Sequence, residues 1–343
     1  MRYVYLIRHA MPDIPLGERW CVGRTDLPLG TVGRMQAALL PYVPELCGKP
    51  VFCSHLSRAV DTARPLCPDP MIREGLEEQD MGVWDGLSFT EIQSLYPELY
   101  AAREHNPSLW PESAEDMESV GKRMHAAVQR CLEESEGDIV IVSHKSAIDS
   151  ITGSRPKLLH TSVSLLAWDG KALKPLEIGR VPHPELTEEV CMAVLSAAHT
   201  PEHVVAHCRA VAEEALRIAE ALPLALDREL LEASALLHDV ARSQPEHARL
   251  GGTWLRELGY GDAAGLVEQH HDLLSGELNE AAVLYIADKL LRGDRKVPLE
   301  QRFRDSESKC LTDQARASHA ARLARALEIQ QKINRLCGRC VVE

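Results

Sequence analysis

The chain has 343 residues, more than one ordinary hydrophobic core accommodates, and this length favours two domains. Hydrophobic residues make up 45% and charged residues 26%, values typical of globular proteins that exclude wholesale disorder. The net charge is −13 and neither half of the chain is basic, so binding to nucleic acid through its phosphate backbone is disfavoured. A small phosphorylated ligand stays compatible with this charge, because a pocket needs only a few local cations.

Two further features of the sequence concern the compartment. Apolar runs stay well below the ~18 residues that cross a membrane, and Met1–Ile7 lacks the basic leader and cleavage site of a signal peptide. We therefore expect a cytoplasmic protein without a membrane partner, whose 10 cysteines are reduced thiols. The spacing Cys337-Gly-Arg-Cys340 is compatible with half of a metal or redox site, and also with no function.

Predicted strands and helices alternate through the first half of the chain. Short apolar runs between chain breakers predict strands, and apolar residues at helical spacing predict helices. The predicted strands are Tyr3–Ile7, Val51–Cys53 and Ile139–Ser143, with a closing hairpin of Leu165–Trp168 and Leu173–Ile178, and the predicted helices are Thr31–Leu46, Arg58–Leu66 and Met117–Glu133. This alternation predicts an α/β domain over residues 1–180, with a mostly parallel sheet sandwiched by helices.

The second half contains no convincing strand and predicts an all-α domain over residues 195–343. Two prolines close to Arg180 break regular structure, so we place a linker at residues 181–194. Thr200-Pro201 predicts an N-cap followed by proline at the first helical position. Apolar stripes predict further helices at Leu230–Leu237, Gly251–Leu258, Ala281–Leu291 and Asp313–Leu336. The thin stripe of the last helix is compatible with internal packing or with a subunit contact in a homo-oligomer.

Two predicted strands of the first domain deliver histidines to one edge of the sheet. Arg8-His9 follows the first strand and His144 follows Ile139–Ser143, and the carboxyl edge of an open α/β sheet is where ligands bind. Arg24 stands in the loop after the first strand and Arg58 opens the helix after the second, and these segments can converge on the same edge. Such a pocket suits phosphoryl transfer, because a neutral imidazole can attack phosphorus and arginines can bind the equatorial oxygens. A carboxylic acid must still protonate the leaving group.

The motifs around these residues resemble, in their order, those of the histidine phosphatase superfamily, which has the phosphoglycerate mutase-like fold. The matching stretches are Leu6-Ile-Arg-His-Ala10, Gly23-Arg-Thr-Asp-Leu-Pro-Leu29, Ser54-His-Leu-Ser-Arg-Ala59, Leu76-Glu-Glu-Gln-Asp-Met-Gly82, Trp84-Asp-Gly86 and Val142-Ser-His144. The resemblance spans roughly residues 1–180. The roles that it implies are nucleophile for His9, phosphate pocket for Arg8, Arg58 and His144, secondary contacts for Arg24 and Thr25, and proton donor for Glu78, with Glu77 as the alternative.

The sequence departs from the pattern of this family after each histidine. Ala10-Met11 stands where the family commonly has Gly-Glu or Gly-Gln, and Lys145-Ser146 stands where it often has two glycines. Lys145 is expected to add a cation at the pocket rim and so to affect the choice of substrate. The resemblance favours a phosphatase over a phosphomutase, because the long insertion of glycolytic mutases is missing after Trp84-Asp-Gly86. Water would then reach a phosphohistidine freely.

The helical half carries a second set of candidate residues, namely His207, His238, Asp239 and Asp288. Imidazole and carboxylate together bind divalent transition metals, which make water available as a nucleophile near neutral pH. The stretches His207-Cys-Arg-Ala-Val211, Ala235-Leu-Leu-His-Asp-Val-Ala241 and Tyr285-Ile-Ala-Asp-Lys-Leu290 resemble the HD superfamily of metal-dependent phosphohydrolases over about residues 195–295. The resemblance implies that these four side chains bind a divalent ion, with Mn, Fe, Co, Ni, Zn and Mg all left open.

Two further stretches resemble HD proteins with additional ligands, a subset that includes bacterial hydrolases of dinucleoside polyphosphates. They are His247-Ala-Arg-Leu-Gly251 and Val267-Glu-Gln-His-His271. The resemblance makes His247 and His270 candidates for a second metal site, the alternative being that His247 and His271 are surface residues beside a mononuclear site. Two basic features are left open between phosphate contacts and a solvated surface, namely Arg242 and the segment Arg292–Arg304. Three other histidines are expected to be solvated, namely His199, His203 and His319.

The sequence therefore predicts a bifunctional phosphohydrolase that acts on a small phosphorylated metabolite or nucleotide. The first site would remove phosphate from a monoester without a metal, and the second would hydrolyse a phosphate ester or anhydride with a metal. The alternative keeps an active phosphatase and makes the HD domain a sensor of a metal or a nucleotide.

Overall fold

The computed structural model describes residues 1–106, 108–153, 157–308 and 310–343. Its internal contacts divide the chain into two compact units, Met1–Pro184 and Glu185–Glu343. Among the helices of the described residues, none combines the length and the hydrophobicity that a membrane span requires.

The first unit is built on a sheet with helices on both faces. Its strands are β1 (Arg2–Arg8), β2 (Trp20–Cys21), β3 (Val51–Cys53), β4 (Met71–Ile72), β5 (Leu87–Ser88), β6 (Ile139–Ser143), β7 (Val163–Trp168) and β8 (Leu173–Arg180). Its helices are α1 (Thr31–Leu39), α2 (Ser57–Ala63), α3 (Phe89–Leu95), α4 (Pro97–His105), α5 (Met117–Glu133) and α6 (Lys145–Thr152), with 3₁₀ turns at Leu40–Tyr42, Pro44–Leu46 and Gly82–Trp84.

The main sheet has six strands in the order β4-β3-β6-β1-β7-β8. The strands β4, β3, β6 and β1 run parallel to one another, whereas the pairs β1–β7 and β7–β8 are antiparallel and close the sheet. The predicted α/β class with a mostly parallel sheet is confirmed. In the β1–β6 pair Arg8 lies opposite Ser143, so the residues that follow these two strands leave the sheet side by side.

The alternation of side chains along the central strands explains why both faces of the sheet are covered. In β6 the side chains of Ile139 and Ile141 enter one hydrophobic cluster, and those of Val140 and Val142 enter another. The first cluster includes residues of α5 and α6, and the second includes residues of α2. A parallel strand that is buried on both faces requires an unbroken apolar run, as β6 has.

The second unit is helical apart from one short hairpin. Its helices are α7 (Glu188–Ala197), α8 (Glu202–Ala221), α9 (Arg228–Leu237), α10 (His247–Glu257), α11 (Gly261–Gln269), α12 (Glu280–Lys289), α13 (Leu299–Glu307) and α14 (Asp313–Cys337), and its hairpin joins β9 (Leu291–Arg292) to β10 (Arg295–Lys296). Every residue of α12 after Glu280 is buried. A helix that is buried all round lies at the centre of a helical bundle.

The structure differs from three local predictions. The helix predicted to reach Leu46 ends at Leu39, because Pro41 and Pro44 open two 3₁₀ turns. The segment predicted as a linker contains most of α7, whose N-cap is the Thr187 side chain. The N-cap position of α8 is Pro201 and not Thr200, whose hydroxyl donates to the Val240 carbonyl.

Candidate active sites

His9 lies directly after β1, beside His144 at the start of α6. The two imidazole rings have their centroids 5.0 Å apart, and both residues are buried. The Nδ1–H of His9 donates to the Ala10 carbonyl at 2.7 Å, which leaves the lone pair on Nε2. Burial, together with the nearby His144, Arg58 and Arg8, holds the pKa of His9 well below its usual value. His9 is therefore a neutral imidazole with a free Nε2 near neutral pH, which is the form that can attack phosphorus.

Two guanidinium groups, one buried and one half-buried, lie close enough to His9 to lower its pKa. Arg58 is fully buried and donates to the carbonyls of Gly23 and Thr25 at 2.7 and 2.9 Å, while Arg8 donates to Leu158 at 2.6 Å. Burial lowers the pKa of Arg8 to about 10, which keeps the group charged at neutral pH. The Nε–H of each arginine is buried and has no hydrogen-bond partner among the described residues. A bound anion would satisfy such donors.

The loop that carries Arg24 and Thr25 is held by a residue to which the sequence analysis gives no role. The Asp85 carboxylate accepts the backbone N–H groups of Gly23, Arg24 and Thr25 at 2.7, 2.7 and 2.9 Å. A Cβ on Gly23 would lie 2.6 Å from the Gln79 carbonyl, so only glycine fits this approach. The side chain of Arg24 pairs with Glu77 at 3.2 Å, and the described contact of Thr25 with Arg58 is through its backbone carbonyl.

The neighbouring carboxylates Glu77 and Glu78 have different surroundings. Glu78 is 4% exposed and accepts the N–H groups of Ser146 and Ala147 in the first turn of α6, at 3.3 and 3.2 Å. Burial favours a raised pKa for Glu77, but a backbone hydrogen bond and the charges of Arg123 and Arg24 outweigh burial and hold that pKa below its usual value. Glu77 is thus an ionised partner of arginines, and Glu78 is the carboxyl group beside the residues that follow His144.

Two further residues near the pocket, Lys145 and His160, have contacts that the sequence alone does not reveal. The ammonium group of Lys145 pairs with Asp149 one turn along α6, at 2.6 Å, so its charge is compensated within its own helix. His160, which the sequence analysis does not single out, places its ring centroid 5.6 Å from that of His9 and its Nε2 2.9 Å from Arg8. A lone histidine in a loop gives no sequence signal of such a position.

In the second unit, three histidines share one hydrogen-bonding arrangement. The Nδ1–H groups of His207, His238 and His270 each donate to a backbone carbonyl at 2.7 Å, those of Gly293, Ala235 and Val267. This pattern fixes the tautomer that leaves Nε2 as the metal-binding nitrogen. The Nε2 atoms of His238 and His270 are buried and have no hydrogen-bond partner among the described residues.

Two buried carboxylates face these nitrogens. Asp288 Oδ1 lies 3.1 Å from His207 Nε2 and 3.9 Å from His238 Nε2. Asp239 lies between two groups, with Oδ2 3.7 Å from His238 Nε2 and Oδ1 3.6 Å from His270 Nε2. Burial favours raised pKa values for both carboxyls, but the neighbouring His238 for Asp239 and the charge of Lys289 for Asp288 outweigh burial and hold these pKa values below the usual range. Both carboxylates are therefore ionised.

The candidate ligands form two groups, and within each group the donor atoms all lie within 4.8 Å of one another. One group is His207, His238 and Asp239, and the other is His247, His270 and His271. Imidazole nitrogens without partners beside ionised carboxylates fit a divalent transition metal. His271, one of the residues for which a surface position is the alternative, has its Nε2 2.9 Å from that of His247. Two ring nitrogens at this separation need a shared proton or a cation between them.

A cavity of about 460 Å³ opens onto these ligands and is lined by further cations. Arg242 reaches the ligand set, with Nη1 3.0 Å from His247 Nε2 and 3.6 Å from Asp239. Buried Lys289, which the sequence analysis does not single out, lies 2.6 Å from Asp288 and donates to the His270 carbonyl at 3.0 Å. His203 and His319, predicted as solvated, also line this cavity together with Arg302 and Arg322. The basic segment Arg292–Arg304 thus contributes to the cavity through Arg302.

Comparison with known proteins matches the two parts of the chain to two families. Residues 4–173 match the profile of the histidine phosphatase superfamily (branch 1), and residues 204–293 match that of the HD domain. The phosphoglycerate mutase-like protein 4 of Arabidopsis thaliana is 30% identical over 191 residues, which cover 50% of this chain and 82% of that protein. The chain belongs to the histidine phosphatase superfamily. It carries an HD domain after the phosphatase domain, and both are phosphohydrolase families.

Two further similarities are to a curated relative and to a solved structure. The bifunctional protein Rv2228c of Mycobacterium tuberculosis is 32% identical over 150 residues, 42% of this chain and 41% of that protein. The chain thus spans about two fifths of the length of the first curated relatives that it matches. The structure of Bacillus stearothermophilus YhfR is 27% identical, with a TM-score of 0.48, over 53% of this chain and 99% of that chain.

Proposed function

We propose that the chain is a bifunctional phosphohydrolase whose first unit dephosphorylates a small phosphate monoester through a phosphohistidine at His9. The observation that carries this proposal is the neutral, buried His9, whose Nε2 carries no proton while the guanidinium groups of buried Arg58 and half-buried Arg8 lie close by. Such an arrangement binds a phosphate dianion and leaves a nucleophile unprotonated beside it.

The reaction proceeds in two displacements. In the first, His9 Nε2 forms a bond to phosphorus while the bond from phosphorus to the ester oxygen breaks, and Glu78 gives its proton to that oxygen. In the second, Glu78 takes a proton from water, whose oxygen displaces His9 and releases orthophosphate. Arg8, Arg58 and His144 bind the equatorial oxygens, where negative charge develops in each transition state.

The substitution Glu78→Gln tests the proton donor. We expect hydrolysis of alkyl phosphates to fall by on the order of 10²–10⁴-fold. Hydrolysis of p-nitrophenyl phosphate should fall far less, because nitrophenolate leaves without a proton. Steady-state rates on both substrates measure this selectivity. The matched control is Glu77→Gln, and a selective loss in that variant instead would assign the proton donor to Glu77.

For the second unit we propose hydrolysis of a phosphate ester or anhydride, such as that of a nucleotide. His207, His238, Asp239 and Asp288 would hold one divalent ion, and His247, His270 and His271 a second. A divalent metal supplies Lewis acidity and makes water available as a nucleophile near neutral pH. Around it, Arg242 and the other cations of the cavity would bind substrate phosphates, while Lys289 keeps Asp288 in place.

One experiment separates the two activities in the full chain. Wild type, His9→Ala and Asp239→Ala are assayed for orthophosphate release from a panel of phosphorylated metabolites and nucleotides, with divalent metals or with EDTA. Two sets of substrates would support the bifunctional enzyme. Hydrolysis of the first set would be lost only in His9→Ala, and hydrolysis of the second set would be lost in Asp239→Ala and in EDTA. If metal is bound but only the first set exists, the second unit is a sensor. Isomerised product in place of orthophosphate would identify a phosphomutase.

A further inference from the structure

The guanidinium group of Arg8 is held by the segment that precedes β7. Its Nη1 donates to the Leu158 carbonyl at 2.6 Å, and its Nη2 lies 2.9 Å from Nε2 of His160. A guanidinium group can only donate hydrogen bonds. His160 Nε2 must therefore accept this hydrogen bond, and the ring proton must reside on Nδ1.

We propose that His160 is a positioning residue of the phosphatase reaction, which orients Arg8 toward the phosphate through this acceptor nitrogen. The inference rests on the proposed function of the first unit. With both Nη atoms engaged at the pocket wall, the guanidinium plane is fixed and its partner-free Nε–H remains as a donor. A fixed donor stabilises the transition state more than a mobile one, because no reorganisation occurs during the reaction.

The backbone around His160 is built to hold this position. The N–H of Arg8 donates to the Ser162 carbonyl and that of Thr161 donates to the Arg8 carbonyl, both at 3.0 Å. Thr161 has a φ of 57°, a left-handed conformation that is unfavourable for a β-branched residue. Such a conformation persists only where its surroundings impose it, and it often marks a functional constraint.

The ring of His160 must be neutral to accept this hydrogen bond, and its surroundings favour the neutral form. A protonated ring would place a second cation 2.9 Å from Arg8 and would remove the acceptor lone pair. Burial and the charges of Arg8 and Arg58 hold the pKa of His160 well below its usual value. The rings of His160 and His9 are therefore both neutral near neutral pH.

The test compares His160→Gln with His160→Leu in the full chain. Gln places an amide oxygen near the position of Nε2 and keeps an acceptor, whereas Leu keeps the volume and removes it. We expect His160→Leu to lower kcat/KM for p-nitrophenyl phosphate by about 10–100-fold, mainly through kcat, and to weaken inhibition by orthophosphate. His160→Gln should stay within about threefold of wild type. His125→Leu, an exposed histidine on α5, is the matched control.

Unchanged kcat/KM and orthophosphate inhibition in His160→Leu, with an unchanged melting temperature, would overturn the proposal. Equal losses in the Leu and Gln variants would overturn it too, because the acceptor would then not matter. Calorimetric binding of orthophosphate needs no turnover and should weaken in His160→Leu alone. A wild-type protein that binds orthophosphate in this way without releasing it from any ester would count against the proposed function and not against His160.

Discussion

The substitution His9→Ala is expected to abolish the phosphatase activity of the first unit. Removing the nucleophile eliminates the covalent route, and losses on the order of 10³-fold or more are typical of such changes. The substituted side chain leaves a cavity next to His144 but removes no charge, because His9 is neutral in the folded protein. Orthophosphate release from p-nitrophenyl phosphate measures the effect, and EDTA should leave the wild-type rate unchanged.

A covalent intermediate gives this prediction a second readout. Rapid quench of wild type and a labelled substrate in alkaline denaturant should yield a phosphoprotein that is stable to base and loses its label in acid, as a phosphoramidate at nitrogen does. His9→Ala should not be labelled, whereas the control His125→Ala should be labelled as wild type. Full activity of His9→Ala with Asp239→Ala in the same chain would show that the nucleophile lies elsewhere.

The position of His9 at this edge of the sheet could be predicted from sequence, because it follows from the topology of a parallel sheet. Parallel neighbours end at one edge, so the residues after two buried apolar runs had to leave the sheet together once β1 and β6 paired. In the same way, ligands at the ends of apolar helical stripes were predicted to converge, and His238 and Asp288 lie 3.9 Å apart at their closest polar atoms. Periodicity determines which face of an element a residue occupies.

The partners of these residues could not be predicted, because they depend on contacts between segments distant in sequence. Asp85 binds a loop about 60 residues away, and His160 meets Arg8 across 152 residues. The pairing of charges has the same origin. Lys145 pairs with Asp149, which sequence spacing alone permits without requiring, and its role at the pocket rim stays a prediction. Lys289 would be improbable as a buried residue without the Asp288 carboxylate beside it.

The substitution Asp239→Ala is expected to remove the metal from the second unit. Purified wild-type protein should contain about one to two divalent transition ions per chain by elemental analysis. Asp239 faces both candidate groups, with one oxygen toward His238 and the other toward His247 and His270, so its loss should affect both ions. The exposed Asp262 in the first turn of α11 provides a matched control, and Asp262→Ala should keep the wild-type metal content.

Loss of the metal should also lower the stability of the second unit while the His9 reaction continues. Without an ion, Oδ1 of Asp239 and the Nε2 atoms of His238 and His270 stay buried without a hydrogen-bond partner among the described residues, and each unsatisfied group costs about 1–3 kcal/mol. An ion present at 100 times its dissociation constant adds about 2.7 kcal/mol to the folded state. For a unit of this size, the midpoint temperature of the corresponding unfolding transition should fall by roughly 5–10 °C in Asp239→Ala or after chelation, as followed by calorimetry.

Metal-free protein that melts no lower than metal-loaded protein would contradict the proposed metal site. Metal retained by Asp239→Ala would place the ligands elsewhere, and Cys337 and Cys340 would be the first residues to replace.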